Sequence, residues 1–137
     1  MVCLYCGSRT EVVNSRPQKR LNQTWRRRKC RACDAIFTTN ESIDYSAAII
    51  VKHKAHLESF ERDKLLISLA ASLGHRTSAV ADAAALVATI TQKLLITAVN
   101  GSVDVKDITN KAYDVLSRFD TLAAAHYSAY HNDTPQL

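Results

Sequence analysis

Apolar and polar residues alternate along the first part of the chain, a pattern that is typical of strands rather than helices. Residues 11–13, 23–25 and 36–39 favour three short strands. The polar residues 17–22 lie between the first two segments and favour a turn. We therefore expect a small β structure over residues 1–45.

The pattern changes after residue 42. Residues 48–51 form an apolar strand, residues 56–58 are expected to pair with it, and Ser59 is placed to cap a helix that begins near Phe60. Leucines then recur at helical spacing up to Gly74, which suits the end of a helix. A second, long helix is predicted to begin at Thr77 or Ser78 and to end at residues 100–101. A third begins at Asp104, and the last runs from about Asp120 to His131.

These elements predict an α+β protein with two domains. The first, residues 1–45, is small and β; the second, residues 46–137, has a strand pair and about four helices. Charge divides the chain in a similar place, because residues 1–33 carry nine Lys or Arg and one acid, a net charge of +8, whereas residues 34–137 carry −3. A strongly basic N-terminal part, followed by a mildly acidic remainder, predicts that the first domain binds a polyanion.

The most apolar stretch, residues 79–99, is interrupted by Asp82, Gln92 and Lys93, so we expect a buried helix and no contact with a membrane. The chain opens directly on a cysteine motif, with no apolar leader before it. We expect a cytoplasmic protein.

The four cysteines form two pairs, Cys3-x2-Cys6 and Cys30-x2-Cys33. A two-residue gap lets one turn present two sulfurs to the same ion, and four thiolates bind Zn²⁺ tetrahedrally. Gly7 after the first pair suits a turn with positive φ, and Asp34 takes the equivalent place after the second. The motif predicts one Zn²⁺ per chain; two disulfides or a redox CxxC remain alternatives, disfavoured by the lack of an export signal and by the duplication.

Five bases surround the third cysteine, in the run Trp25-Arg26-Arg27-Arg28-Lys29-Cys30-Arg31. On a strand, Arg26 and Arg28 face one way and Arg27 and Lys29 the other. Guanidinium groups bind phosphate bidentately and can read guanine edges. The run predicts nucleic-acid binding, with a solvated surface as the alternative, and charge alone does not separate DNA from RNA.

Together these motifs resemble the NrdR family, bacterial repressors of ribonucleotide reductase genes that consist of a zinc ribbon and an ATP-cone. In the first part the resemblance rests on Cys3-x2-Cys6-Gly7, Asn14-Ser15-Arg16, residues 26–30, Ala32-Cys33 and Phe37-Thr38-Thr39. In the second it rests on residues 49–52 and 58–65. The sequence departs from the family pattern at His53, Lys54, Ala55 and Ala124, among other positions.

The resemblance implies a repressor that binds double-stranded promoter DNA through the ribbon, and a homo-oligomer controlled by ATP and dATP. The implied zinc ligands are Cys3, Cys6, Cys30 and Cys33. The candidate DNA-binding residues are Arg16, Arg26, Arg27, Arg28, Lys29 and Arg31. The implied nucleotide-binding residues are Ile50, Lys52, His53, Glu58, Phe60, Lys64, Leu65 and Tyr127, with the apolar ones at the base and the lysines at the phosphates.

Two other classes of function compete with this one. A nucleotide-hydrolysing or nucleotide-modifying enzyme is disfavoured, because the chain has no Walker loop and no acidic pair placed for Mg²⁺ and a base. A zinc-ribbon interaction module of the transcription or RNA machinery, without nucleotide control, remains the alternative. Adenine nucleotide retained by the purified protein would separate it from the repressor.

Overall fold

The computed structural model describes residues 1–131, which form two compact units, Met1–Ile43 and the segment from Asp44 onward. The division precedes the predicted domain boundary by two residues, because Asp44 already belongs to the second unit. Its carboxylate accepts a hydrogen bond from the Ser46 amide at 3.0 Å and caps a four-residue helix. Residues 132–137, the end of the predicted second domain, lie outside the described residues.

The first unit is a three-stranded antiparallel sheet in the order β1-β2-β3. Its strands are β1 (Thr10–Gln18), β2 (Gln23–Cys30) and β3 (Ile36–Ser42). A 3-10 turn over Lys19–Leu21 joins β1 to β2 within the predicted turn region. A bulge at Val13 shifts the register, since Val12 pairs with Arg28 but Asn14 pairs with Arg27. This β unit confirms the predicted three strands.

The second unit combines a small sheet with helices. Its elements are α1 (Tyr45–Ala48), β4 (Ile50–Lys52), β5 (Leu57–Ser59), α2 (Arg62–Ser72), α3 (Ala79–Thr97), β6 (Ser102–Asp104), α4 (Val105–Phe119) and α5 (Thr121–Tyr130). The sheet order is β5-β4-β6, with β4 antiparallel to β5 and parallel to β6. Helix α2 packs on α3 and α5, and α4 packs on α3 and α5. The α+β class is confirmed.

Three details differ from the prediction. The second sheet has three strands rather than a pair, because Ser102–Asp104 joins β4 from a distant part of the chain. Ser59 does not cap α2: it remains in β5, paired with Ile50, and Glu61 is the N-cap residue. Helix α3 ends at Thr97, before the predicted end at residues 100–101.

The helices bury the main hydrophobic core. Leu69 of α2, Ile90 and Leu94 of α3, and Leu116 of α4 have no exposed surface. Among residues 1–131, α3 is the one helix long and apolar enough to pass a membrane-span test of length and composition. Six of its residues are buried, five of them in the hydrophobic core, and core helices pass the same test.

Candidate functional site

The four cysteine sulfurs lie together where β1 begins and β2 ends. All four Sγ atoms are within 4.8 Å of one another. The Sγ atoms of Cys3 and Cys33 are 3.7 Å apart, and those of Cys6 and Cys30 are 3.5 Å apart. Zinc–sulfur bonds of about 2.3 Å in a tetrahedron place the sulfurs about 3.8 Å apart. The cluster therefore fits Zn²⁺, and its free thiols are too far apart for disulfide bonds.

Two similar turns hold these sulfurs. In the first, the Tyr5 amide donates to Cys3 Sγ at 3.4 Å; in the second, the Ala32 amide donates to Cys30 Sγ at 3.4 Å. Each turn ends on a residue with positive φ, +72° at Gly7 and +57° at Asp34. The predicted backbone conformation at both positions is confirmed, and it brings the chain back to the sheet after each pair of ligands.

The sulfurs differ in proton affinity. Hydrogen bonds from the Ser8 side chain and amide lower the pKa of Cys6 to about 6. The Cys6 and Tyr5 amides lower the pKa of Cys3. The Ala35 amide lowers the pKa of Cys33, but hydrogen bonding to Cys30 and burial outweigh it and raise the pKa to about 12. Thiolates are the form that binds a metal ion, so the hydrogen bonds that lower the pKa of Cys3 and Cys6 favour metal binding.

The predicted basic residues of β2 divide between the two faces of the ribbon sheet. Arg16 lies opposite Trp25, and Arg27, two residues along β2, shares that face. Within residues 1–131 neither arginine has an ion-pair partner. We call Arg16, Trp25 and Arg27 the open basic face.

The opposite face is occupied by internal contacts. Arg26 Nη2 donates to Glu41 Oε2 at 2.8 Å, and Arg28 Nε donates to Thr39 Oγ1 at 3.1 Å. Arg26 is half-buried, with 33% of its side chain exposed. Arg26 and Arg28 thus serve to tie β2 to β3.

The other two predicted DNA contacts lie near the zinc cluster and are paired. Lys29 Nζ lies 3.0 Å from Asp34 Oδ1, and Arg31 Nη2 lies 3.1 Å from Glu11 Oε2. The Asp34 carboxylate raises the pKa of Lys29, so this amine stays protonated. Both pairs are largely exposed and therefore weak enough to exchange for a phosphate.

In the second unit, several predicted nucleotide-binding residues converge on the β4–β5 hairpin. His53 Nε2 lies 2.9 Å from Glu58 Oε1, and Lys64 Nζ lies 3.2 Å from Glu58 Oε2. Hydrogen bonds from His53 first, and then from Lys64, lower the pKa of Glu58. Lys52 and His53 also border a cleft of about 750 Å³. Ile50, in the central strand, is half-buried.

Three further predicted residues lie in the hydrophobic core instead. Phe60, Leu65 and Tyr127 are 3%, 6% and 2% exposed. Burial raises the pKa of Tyr127 to about 12. Tyr130, three residues later on α5, is 74% exposed.

Sequence reasoning overlooked the residues that complete this hairpin and cleft. His56 stacks on His53, with ring centroids 4.3 Å apart and planes 7° from parallel. Lys54 and Lys106 line the cleft beside Lys52, together with Asp104 and Asp107. The spacing His53-x2-His56-x-Glu58 is the signal that could have identified the cluster from the sequence.

Comparison with known proteins gives results of two kinds. Residues 1–41 match the family model of the transcriptional repressor NrdR-like N-terminal domain. Proteins named transcriptional repressor NrdR align with longer segments of the chain than these 41 residues. The one from Symbiobacterium thermophilum is 42% identical over 66 residues, 48% of this chain and 44% of the relative. The one from Nitrosomonas eutropha is 38% identical over 96 residues, 69% of this chain and 60% of the relative.

These two alignments span less than two thirds of the relatives' length. Longer matches exist. The transcriptional repressor NrdR of Sphingopyxis alaskensis is 31% identical over 134 residues, which covers 97% of this chain and 86% of the relative. With a four-cysteine ribbon ahead of a helical unit, and a match that runs through both, this chain belongs to the NrdR family of transcriptional repressors.

Proposed function

We propose that this protein is a transcriptional repressor that binds double-stranded operator DNA upstream of ribonucleotide reductase genes through residues 1–45. The second domain, residues 46–137, binds ATP or dATP and sets the oligomeric state. The protein is not an enzyme and acts by binding its ligands. It is located in the cytoplasm, bound to DNA. The relatives' common name, transcriptional repressor NrdR, supports this function.

The observation that carries the DNA-binding proposal is the open basic face. Arg16 and Arg27 present guanidinium groups without a carboxylate among the described residues, on either side of a half-buried Trp25. Arginines in this state lose no internal ion pair when they bind phosphate. The zinc centre fixes the end of the strand that carries Arg27, so the face is held in position before it meets DNA.

The nucleotide proposal rests on the cleft beside the hairpin. Its volume of about 750 Å³ falls within the range of small-molecule sites. Lys52, Lys54 and Lys106 supply cationic groups at its border, and the first turn of α4 lies there as well. A helix N-terminus and lysines together favour a polyphosphate. Lys64, in the first turn of α2, supplies a further cation beside Glu58.

Control by nucleotide requires that ATP and dATP bind different assemblies with unequal affinity. Helix α5 is our proposed link, because Tyr127 packs in the core whereas Leu122 and Tyr130 are 61% and 74% exposed. Exposed apolar residues on a helix that also closes the core suit a contact between subunits. Of the two tyrosines, Tyr130 is therefore the one proposed to contact a second copy.

The experiment uses the full-length, zinc-loaded protein. Binding to double-stranded promoter DNA is measured without nucleotide, with ATP and with dATP, while light scattering reports the mass of the protein. The proposal expects nucleotide-dependent changes in both. Tight DNA binding with no nucleotide bound and no change in mass would favour a zinc-ribbon interaction module without nucleotide control.

A further inference from the structure

We propose that His53, His56 and Glu58 form a second metal site, on the β4–β5 hairpin, that binds Zn²⁺. The proposal does not require the ribbon zinc or bound nucleotide, although His53 and Glu58 are also among the predicted nucleotide-binding residues. It rests on three observations about the hairpin: its backbone, the distances between its donor atoms, and their chemistry.

The backbone places the three side chains on one face. Strands β4 and β5 pair with Val51 opposite Glu58 and Lys52 opposite Leu57. One step further, the His53 amide donates to the His56 carbonyl at 2.9 Å, so a two-residue turn closes the hairpin. Opposed residues of an antiparallel pair share a face, and so do residues two apart on a strand. The pairing of β4 with β5 therefore places His53, His56 and Glu58 on one face of the hairpin, next to one another.

The donor atoms are already close to metal-binding distances. His53 Nε2 lies 2.9 Å from Glu58 Oε1, His56 Nε2 lies 3.9 Å from Glu58 Oε2, and the three residues offer donor atoms within 4.8 Å of one another. Tetrahedral zinc with bonds of about 2.0–2.2 Å places its ligands about 3.3–3.6 Å apart. The two imidazole rings lie stacked, with planes 7° from parallel. Because the lone pair of a ring nitrogen lies in the plane of the ring, metal binding requires the rings to turn out of this stack until both nitrogens point at the ion.

The donor set selects the kind of metal. Two imidazoles and a carboxylate are the ligands of His₂Glu zinc sites, in which a fourth position is left for water. Mg²⁺ and Ca²⁺ prefer oxygen ligands alone, so they are poor candidates for this hairpin. Both histidines also border the cleft, which leaves the remaining coordination position accessible.

The Lys64 ammonium competes with a metal ion for the Glu58 carboxylate. This ammonium lies 3.2 Å from Glu58 Oε2, on the same carboxylate that the ion would use. A metal ion must therefore displace this contact or share the carboxylate with it. Replacing Lys64 with Met removes the competing positive charge, and it should tighten Zn²⁺ binding severalfold while weakening any polyphosphate at the same place.

The test is a Zn²⁺ titration of the full chain in nucleotide-free buffer, starting from protein with its ribbon zinc in place. Calorimetry and metal analysis after dialysis against free Zn²⁺ are expected to give two ions per chain for the parent and one for the double variant H53N/H56N. The matched control is His126→Asn, which alters an exposed histidine on α5 and should retain two ions. Circular dichroism verifies that each variant is folded.

Each result bears on the proposal. One ion per chain in the parent, or two ions in H53N/H56N, overturns it. Tighter zinc binding by Lys64→Met supports it, and weaker zinc binding by this variant counts against a shared carboxylate at the site. Because the titration contains no nucleotide, a failure here leaves the ATP proposal untouched, and a loss of ATP binding alone leaves the metal site standing.

Discussion

Arg26 and Arg27 are consecutive in β2, yet they lie on opposite faces of the ribbon sheet, and only Arg26 has an acidic partner among the described residues. The Arg26 guanidinium lies 2.8 Å from the Glu41 carboxylate, across the β2–β3 pair. To bind phosphate, Arg26 must first give up this contact, whereas Arg27 is available at once. Two residues that look equivalent in the sequence thus have different roles.

Replacing Arg27 with Ala is expected to weaken DNA binding and to reduce its salt dependence. The slope of log K against log salt concentration is negative, and each phosphate that the protein no longer neutralises reduces its magnitude by about 0.9. Fluorescence anisotropy with duplex promoter DNA, over about 50–200 mM salt, measures both quantities. Arg26→Ala is the matched control and should preserve the slope. Equal reductions of slope in the two variants would contradict the division of the faces.

Replacing Cys30 with Ser is expected to abolish zinc binding by the ribbon and to unfold this unit, because so small a unit depends on its metal for most of its folding free energy. The protein has one tryptophan, Trp25, so its fluorescence reports on this unit. The helical circular dichroism should persist. Ala32→Ser, in the same turn, should keep the ribbon zinc. Both variants are made in the H53N/H56N background, which lacks the proposed hairpin site, and a zinc ion retained there by Cys30→Ser would show that the four-thiolate site is wrong.

Replacing Lys64 with Ala is expected to weaken ATP and dATP binding about tenfold or more, since a charge-assisted contact to phosphate contributes roughly 1.5–3 kcal/mol. Calorimetry with each nucleotide measures the loss, and light scattering should show the nucleotide-dependent change in mass disappear with it. Lys93→Ala removes a lysine of α3 instead and serves as the control. Unchanged affinity in Lys64→Ala would exclude this lysine from the nucleotide site.

Replacing Asp120 with Asn is expected to destabilise the helical unit in a pH-dependent manner. The Ala123 amide donates to this carboxylate, as do His75 and Arg76, and together they lower its pKa from 3.8 to about 2. A lowered pKa in the folded state means that the charged carboxylate stabilises the fold above pH 3.8. That contribution disappears as the pH falls to about 2.

The measurement is the urea midpoint of the helical circular dichroism, because the α-helices of residues 1–131 all belong to the second unit. The parent should exceed Asp120→Asn at neutral pH, and the two should converge as the pH falls below 3.8. A constant difference between parent and Asp120→Asn would mean that the charge is not responsible.

The sequence predicted local features well, because neighbouring residues determine them. The spacing of Cys3, Cys6, Cys30 and Cys33 identified a cluster that the fold assembles, and Asp104 occupies the predicted start of a helix as the N-cap of α4. The alternation in β2 likewise assigned its arginines to opposite faces. These inferences depend on turn geometry and strand periodicity alone.

The features that sequence reasoning missed depend on contacts between distant residues. Strand β6 is three residues long and is defined by its parallel pairing with β4, some fifty positions earlier. Ser59 has the composition of a helix cap, but its pairing with Ile50 keeps it in a strand. Nor does any local pattern reveal that Glu41 neutralises Arg26 and leaves Arg27 open.

The bulge at Val13 means that β1 contains one residue more than its pairing with β2 requires. Val13 has no partner in β2, so a one-residue deletion between Val12 and Arg16 can be absorbed by closing the bulge, which leaves Arg16 opposite Trp25. A one-residue insertion in the same stretch cannot be compensated by closing the bulge. Unless a second bulge forms, the insertion moves Arg16 to the position opposite Thr24, on the face of the sheet that carries Arg26. Relatives with a shorter β1 are therefore expected to keep Arg16 and Arg27 on the same face of the ribbon sheet, whereas those with a longer β1 should place them on opposite faces.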